Sequence, residues 1–98
     1  MKDAIAIDRQ SNSHVLATQQ LLTHTALRDA VCRLLDTADA VVSPTLAYEA
    51  LQLAACAHYG QVRSSDRAPY ILHPIEVAHA VALWDGRAED VLAALLHD

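Results

Sequence analysis

The amino-acid sequence predicts an all-α protein, and three observations support this fold class. Among 98 residues only two are Gly and three are Pro, so the turn residues that a β-rich architecture needs are scarce. Ala, Leu and Val dominate the composition, which favours long helices. Apolar residues also recur at helical spacings along most of the chain. The length corresponds to one small domain at most.

The first half of the chain contains two predicted helical regions. Helical periodicity from His14 to about Asp36 indicates either one long helix or two short ones. After a short connection, Ser43-Pro44 supplies an N-cap hydroxyl and a ring whose φ is already helical. We expect the helix that starts there to end near Gly60, which suits a left-handed C-cap.

Two further helices are predicted after a polar loop over residues 61–69. Pro74 is expected to be the first residue of a helix that reaches Trp84. The last helix begins near Ala88, where Glu89 and Asp90 lie favourably against the positive end of the helix dipole.

Charge and hydropathy exclude several classes of partner. The formal net charge is −5 and the seven Lys and Arg residues are dispersed, so no basic stripe for DNA or RNA is present. No apolar run approaches the roughly 18 residues that span a bilayer, and the N-terminus lacks a signal-peptide core. We therefore expect a cytoplasmic protein that binds neither nucleic acid nor membrane.

Three residues are candidate metal ligands on the chemistry of their side chains. His97 and Asp98 are adjacent at a helix end, where both can reach one ion beside the helix. Imidazole and carboxylate suit a divalent ion such as Mn²⁺, Fe²⁺ or Zn²⁺. His73 opens the preceding helix and can supply a third ligand. The alternatives are a solvated helix end for the His-Asp pair, and an N-cap or surface imidazole for His73.

The remaining histidines carry no predicted function. Those at positions 14, 24 and 79 lack partner carboxylates at ligand spacing, and we interpret them as surface or boundary residues. His58 precedes the turn at Gly60, where it could hydrogen-bond a backbone carbonyl, and we expect it to be structural.

Three linked motifs resemble the hydrolase domain of the RelA/SpoT family. They are residues 57–63 (AHYGQVR), 69–78 (PYILHPIEVA) and 93–98 (AALLHD), and their order and spacing match the family. The resemblance covers about Leu46 to Asp98. It implies that residues 44–98 form the N-terminal part of an HD hydrolase domain, a helical bundle, and that residues 1–43 are a divergent helical extension.

The resemblance also implies an activity, a cofactor and a ligand set. In this family the HD domain removes the 3′-pyrophosphate from ppGpp and pppGpp with a bound divalent ion, typically Mn²⁺. His73, His97 and Asp98 would be three of the metal ligands. A fourth ligand, an aspartate well downstream, and the Glu-Asp pair that follows the HD motif have no counterpart in this sequence. We therefore expect a natural chain that continues past Asp98, and little activity from these residues alone.

Two residues match nucleotide-binding positions of the family. Arg63 corresponds to an arginine of the nucleotide-contacting loop, where its planar fork suits either stacking on guanine or pairing with phosphate. A solvated loop cation is the alternative, and Ser64 stands where many members have lysine. Tyr70 would help to shape the pocket, or equally would pack against the adjacent helix.

Two other functions remain open from the sequence. The chain could be a catalytically inactive helical fragment or interaction module, whose exposed apolar faces would favour self-association. It could also belong to an HD-type phosphohydrolase that acts on another nucleotide.

Overall fold

A computed structural model of the protein describes residues 14–84 and 86–97. Within these ranges the chain forms helices and no strand, which confirms the predicted all-α bundle. The helices are α1 (14–23), α2 (Thr25–Ala38), α3 (Pro44–His58), α4 (Leu72–Leu83) and α5 (Ala88–Leu96). No helix in the described ranges is long and apolar enough to cross a bilayer.

The first predicted helical region is two helices, one of the two outcomes that the sequence left open. The break lies at His24, whose backbone is extended at φ −71° and ψ 119°. Thr23 and Thr25 flank it, and β-branched residues lose side-chain freedom in helices, which weakens the helix at this point.

Helix α4 lies at the centre of the packing, with α2 and α5 against it, while α3 packs on α5. Each of the five helices contributes fully buried side chains to the core, so burial of apolar surface holds the helices together. The largest of them are Leu21, Leu27, Leu34, Leu51, Ile75, Val91 and Leu95. α2 therefore shares one core with residues 44–98, while the domain boundary at residue 43 stays a prediction.

Both ends of α3 form as the sequence predicts. The Ser43 hydroxyl accepts a hydrogen bond from the Leu46 backbone N–H at 3.1 Å, and Pro44 is the first helical residue. After the helix, Gly60 has a φ of +85°. That left-handed backbone favours glycine because a Cβ there meets steric strain.

Helix α4 starts two residues earlier than predicted, at Leu72 rather than at Pro74. The chain enters it through a tight turn in which the Leu72 N–H donates to Pro69 O at 3.1 Å. Pro74 is tolerated in the first turn because N–H groups there have no helical acceptor to lose. As a result His73 is itself part of the first turn of α4.

The start of α5 confirms the role expected for its acidic residues. Glu89 and Asp90 lie in the first turn, and Asp90 Oδ2 accepts a hydrogen bond from the Arg87 N–H at 3.1 Å. The carboxylate thereby satisfies one backbone donor and interacts favourably with the helix dipole.

Several large apolar side chains remain exposed on the described surface. Trp84 is 88% exposed at the end of α4. The others include Leu53, Val62, Leu83 and Leu96. Self-association through such side chains stays a prediction.

The turn between α4 and α5 depends on glycine at position 86. The Gly86 N–H donates to Val81 O at 3.0 Å, which brings the turn against the end of α4. A Cβ on Gly86 would lie 2.4 Å from Val81 Cγ1 and 2.8 Å from Val81 O. Neither contact is sterically allowed, so any larger residue must displace the turn.

Substitution Gly86→Ala should therefore destabilise the protein by about 1–3 kcal/mol, the usual cost of overpacking. Thermal unfolding followed by circular dichroism would measure the loss. Gly60→Ala is a useful comparison, because no atom lies within 4 Å of its Cβ position. Its cost should be limited to the left-handed backbone, about 1–2 kcal/mol. An unchanged melting temperature for Gly86→Ala would contradict the steric argument.

Candidate functional site

The structure brings two of the predicted metal ligands together. His73 lies in the first turn of α4, where its backbone N–H donates to Tyr70 O at 2.9 Å. His97 directly follows the last residue of α5. Because α4 and α5 pack against each other, the two imidazole ring centroids lie 6.0 Å apart, at an interplanar angle of 64°.

This separation fits two imidazoles on one metal ion. A metal-to-nitrogen distance of about 2.0–2.2 Å puts each ring centroid roughly 3.2 Å from the ion, so two ligating rings are at most about 6.5 Å apart. The observed 6.0 Å is within that limit. Ligation at the smaller angles that metals prefer would bring the rings somewhat closer.

The hydrogen bonding of His97 suits a metal ligand. Its Nδ1 lies 2.5 Å from the carbonyl oxygen of Ala94 in α5. A carbonyl oxygen only accepts, so Nδ1 donates this hydrogen bond, and in the neutral imidazole the lone pair is then at Nε2. Metal-binding histidines usually have this arrangement, because a backbone acceptor on one nitrogen fixes the tautomer and the ring orientation.

The third predicted ligand, Asp98, lies outside the described residues. Among the residues that the structure does describe, no group of three His, Cys, Asp or Glu side chains could hold a metal ion. The complete set of His73, His97 and Asp98 therefore stays a prediction.

An open cavity of about 430 Å³ adjoins His73 and contains both predicted substrate-binding residues. Its lining consists of Val62, Arg63, Ser64, Ser65, Tyr70 and His73. Loop 61–69 thus forms one side of the cavity, and the start of α4 forms the other. Arg63 and His73, which are ten positions apart in sequence, both line this cavity.

Tyr70 is both a cavity residue and a packing residue, the two alternatives that the sequence left equal. Its ring lies 4.9 Å from the His58 ring and 5.8 Å from the His73 ring, as measured between centroids. His58, 9% exposed, shares a hydrogen bond of 2.9 Å between its Nδ1 and Gln61 Oε1. The partner of His58 Nδ1 is thus a side-chain amide oxygen, whereas the sequence suggested a backbone carbonyl. The structural role expected for His58 agrees with this burial.

Loop 61–69 is closed on itself by backbone hydrogen bonds. Val62 and Pro69 form an isolated antiparallel bridge, and the Arg63 N–H donates to Ala68 O at 2.8 Å. Arg67 reverses the chain with a left-handed φ of +61°, which is uncommon for a residue other than glycine. The loop therefore presents the Arg63 side chain from a defined backbone.

The Arg63 guanidinium is held by two carboxylates. Its Nε and Nη2 donate to Asp66 Oδ1 and Oδ2 at 3.1 Å and 2.5 Å, and its Nη1 donates to Glu76 Oε1 at 2.8 Å. The hydrogen bond to Asp66 raises the pKa of Arg63, and the same bond lowers the pKa of Asp66 below its usual range. Arg63 is thus a paired cation whose side chain keeps 25% of its exposure to solvent, and its role in nucleotide binding stays a prediction.

Asp66 and Glu76 are residues that the sequence analysis missed. The spacing of Arg63 and Asp66, three positions apart, is a signal for a local ion pair. No such signal connects Arg63 to Glu76, because they are 13 positions apart and meet only when the loop folds back on α4.

The other three histidines lie away from the cavity. His14 Nδ1 is 3.1 Å from Cys56 Sγ, and His79 Nε2 is 3.1 Å from the Thr37 hydroxyl. His24 is at the break between α1 and α2. None of the three approaches His73 or His97 in the part of the chain that the structure describes.

Comparison with known proteins gives matches to about half of the chain. It is 45% identical over 51 residues to a putative GTP diphosphokinase, chloroplastic RSH1, of Oryza sativa. It is 43% identical over 51 residues to a guanosine-3′,5′-bis(diphosphate) 3′-pyrophosphohydrolase of Borreliella burgdorferi, and 55% identical over 42 residues to the protein of the same name from Haemophilus influenzae.

These alignments cover 43–52% of this chain and only 6–8% of the relatives' lengths. No protein-family model matches, and no solved structure gives a significant match. The similarity is therefore local. Two of these relatives are named for the hydrolysis of guanosine-3′,5′-bis(diphosphate), and the third is named as a GTP diphosphokinase. Over about half of its length, this chain is similar to proteins of the RelA/SpoT family, which agrees with the resemblance of its motifs.

Proposed function

We propose that this chain contributes to the metal-dependent hydrolysis of the 3′-pyrophosphate of ppGpp and pppGpp. One observation carries the proposal: His73 and His97 lie within metal-bridging distance of each other, beside a cavity that also contains Arg63 and Tyr70. The names of two relatives, guanosine-3′,5′-bis(diphosphate) 3′-pyrophosphohydrolases, supply the substrate and the bond that is broken.

His73, His97 and Asp98 would hold the metal, with Mn²⁺ as the first candidate. A divalent ion supplies two things to phosphate ester hydrolysis: a bound water of lowered pKa and stabilisation of negative charge on the phosphoryl group. The protein's own contribution is to orient the imidazoles. Ala94 O fixes His97, and the packing of α4 on α5 sets the distance to His73.

Arg63 and Tyr70 would bind the nucleotide in the cavity, so that the scissile ester faces the two histidines. Holding the substrate in this way lowers the entropic part of the barrier. Tyr70 is suited to the task because its ring contacts His73 directly, at 5.8 Å between centroids. A nucleotide that moves Tyr70 therefore also affects His73.

The family pattern includes a fourth metal ligand and a Glu-Asp pair that have no counterpart in these 98 residues. We propose that these residues bind metal and nucleotide, and that efficient turnover needs those further groups. The inactive-module alternative differs in expecting neither kind of binding.

Titration calorimetry with Mn²⁺ tests the metal site. His73→Asn and His97→Asn should each weaken binding at least about 10-fold, because loss even of outer partners of a metal ligand costs about 10- to 100-fold. His79→Asn is the matched control, since His79 lies on α4 but contacts Thr37 instead of the site. It should leave Mn²⁺ affinity unchanged.

Absence of Mn²⁺ binding by the unaltered chain would favour the inactive module. Equal Mn²⁺ affinity in all three variants would show that neither His73 nor His97 is a ligand of the bound ion. Release of pyrophosphate from ppGpp, assayed with Mn²⁺ and a panel of other nucleotides, tests the reaction and its substrate. Turnover of another nucleotide but not of ppGpp would favour a different HD-type phosphohydrolase.

Arg63→Gln should weaken ppGpp binding by about 2- to 30-fold, because it removes a guanidinium face on which a base can stack, a contact of about 0.5–2 kcal/mol. Mn²⁺ affinity should stay unchanged, because Arg63 does not approach His97. Fluorescence titration with a labelled ppGpp analogue would measure the loss. Arg87→Gln, which removes an exposed cation elsewhere, is the matched control. Equal losses in both variants would attribute the effect to overall charge.

A further inference from the structure

Arg63 offers few hydrogen-bond donors to a ligand. A guanidinium has five N–H donors, and the donors on Nε, Nη1 and Nη2 already point at carboxylate oxygens. The bidentate pairing with Asp66 uses Nε and Nη2, the edge of the guanidinium that can also bind a phosphate in bidentate geometry. A phosphate can reach this edge only if a carboxylate leaves it.

The charges of the three side chains also oppose an anion. Two carboxylates around one guanidinium leave a net charge of −1, and the hydrogen bonds from Arg63 and the Ala68 N–H favour the ionised form of Asp66 further by lowering its pKa. Like charges at hydrogen-bond distance repel even in water, by about 1 kcal/mol at 4 Å and more near a protein surface. The group formed by Arg63, Asp66 and Glu76 thus carries a net negative charge, although Arg63 is its only member that lines the described cavity.

We infer that Asp66 and Glu76 form a carboxylate clamp that keeps phosphate groups off Arg63. Asp66 and Glu76 are positioning residues in this proposal, because they act through Arg63. The exclusion of phosphate does not rest on the proposed nucleotide substrate.

The clamp is fixed from two sides. Asp66 Oδ1 accepts a second hydrogen bond from the Ala68 N–H at 3.0 Å, within the closed loop 61–69. Glu76 belongs to α4, one turn after His73. The ion pair of Arg63 with Glu76 therefore ties the loop to the helix that carries a predicted metal ligand.

The clamp differs from an ordinary surface ion pair in the exposure and in the number of its partners. Arg87 and Glu89 are 3.7 Å apart, with side chains 83% and 71% exposed. The Arg63 side chain is only 25% exposed and has two partners. Exposed single pairs contribute little, so the Arg87–Glu89 pair is a natural control.

Binding of inorganic pyrophosphate without added metal tests the clamp. Asp66→Asn and Glu76→Gln are close in shape to the native residues and remove one negative charge each. In the double variant, pyrophosphate should bind at least about 10-fold more tightly than to the unaltered chain, as measured by calorimetry. Adding Arg63→Gln to this background should remove the gain. Affinity for guanosine, which has no phosphate, should change less than 3-fold in the double variant.

A charge-matched control separates the clamp from overall charge. Glu49→Gln with Glu89→Gln removes two negative charges outside the cavity and should raise pyrophosphate affinity less than 3-fold. The clamp is refuted if Asp66→Asn with Glu76→Gln gains no more than this control, or if the gain survives Arg63→Gln. These binding measurements involve neither metal nor turnover. A failure of ppGpp hydrolysis would therefore refute the proposed function without affecting the test of the clamp.

The pKa of Asp66 reports whether the clamp forms in solution. Arg63→Gln should raise that pKa toward its ordinary value, because the hydrogen bond from Arg63 is the largest cause that lowers it. Any stabilisation from the pair exists above the ordinary aspartate pKa and is lost as the pH falls through the lowered one. NMR titration of the Asp66 carboxyl measures the shift, with Glu89→Gln as control. An unchanged pKa in Arg63→Gln would refute the clamp.

Discussion

The packing of α4 against α5 is the constraint on which the rest of the site depends. Ile75 of α4 and Val91 and Leu95 of α5 are all fully buried, so this contact rests on apolar burial and not on polar groups. It sets the distance between His73 and His97, which come from different helices. Gly86 makes the close turn between them sterically allowed. The distance between two polar side chains of the candidate site is thus fixed by the packing of buried apolar side chains.

Much of the fold could be predicted from the sequence, because helix periodicity and capping are local properties. The start of α3 at Ser43-Pro44 and the acidic first turn of α5 follow from residues within one helical turn. The start of α4 was misplaced for a related reason. Pro74 indicates a helix start, but any position of the first turn suits it, and the turn from Pro69 determines which one is used.

The site was predicted in part: the sequence identified its individual residues but not the contacts between residues that are far apart in the chain. Motifs identify Arg63, Tyr70 and His73 as candidates, and all three line one cavity. The carboxylates that pair with Arg63 were not predicted from the sequence. Glu76 meets it only in three dimensions, and nothing in the local pattern of an amphipathic helix distinguishes a clamping glutamate from a solvated one. Sequence thus indicates which groups are present, whereas folding determines which of their donors remain available.

The N-terminal region without family resemblance also bears on the site. α2 packs directly on α4, and His79 of α4 shares a hydrogen bond of 3.1 Å with Thr37 of α2. α4 carries both His73 and Glu76, so α2 supports the helix that carries a predicted metal ligand and one carboxylate of the clamp. Residues that diverge from a family can therefore retain a structural role, since packing on α4 requires only an apolar face of suitable volume. The chemistry, by contrast, requires particular side chains at particular positions, which is why resemblance is concentrated in the second half of the chain.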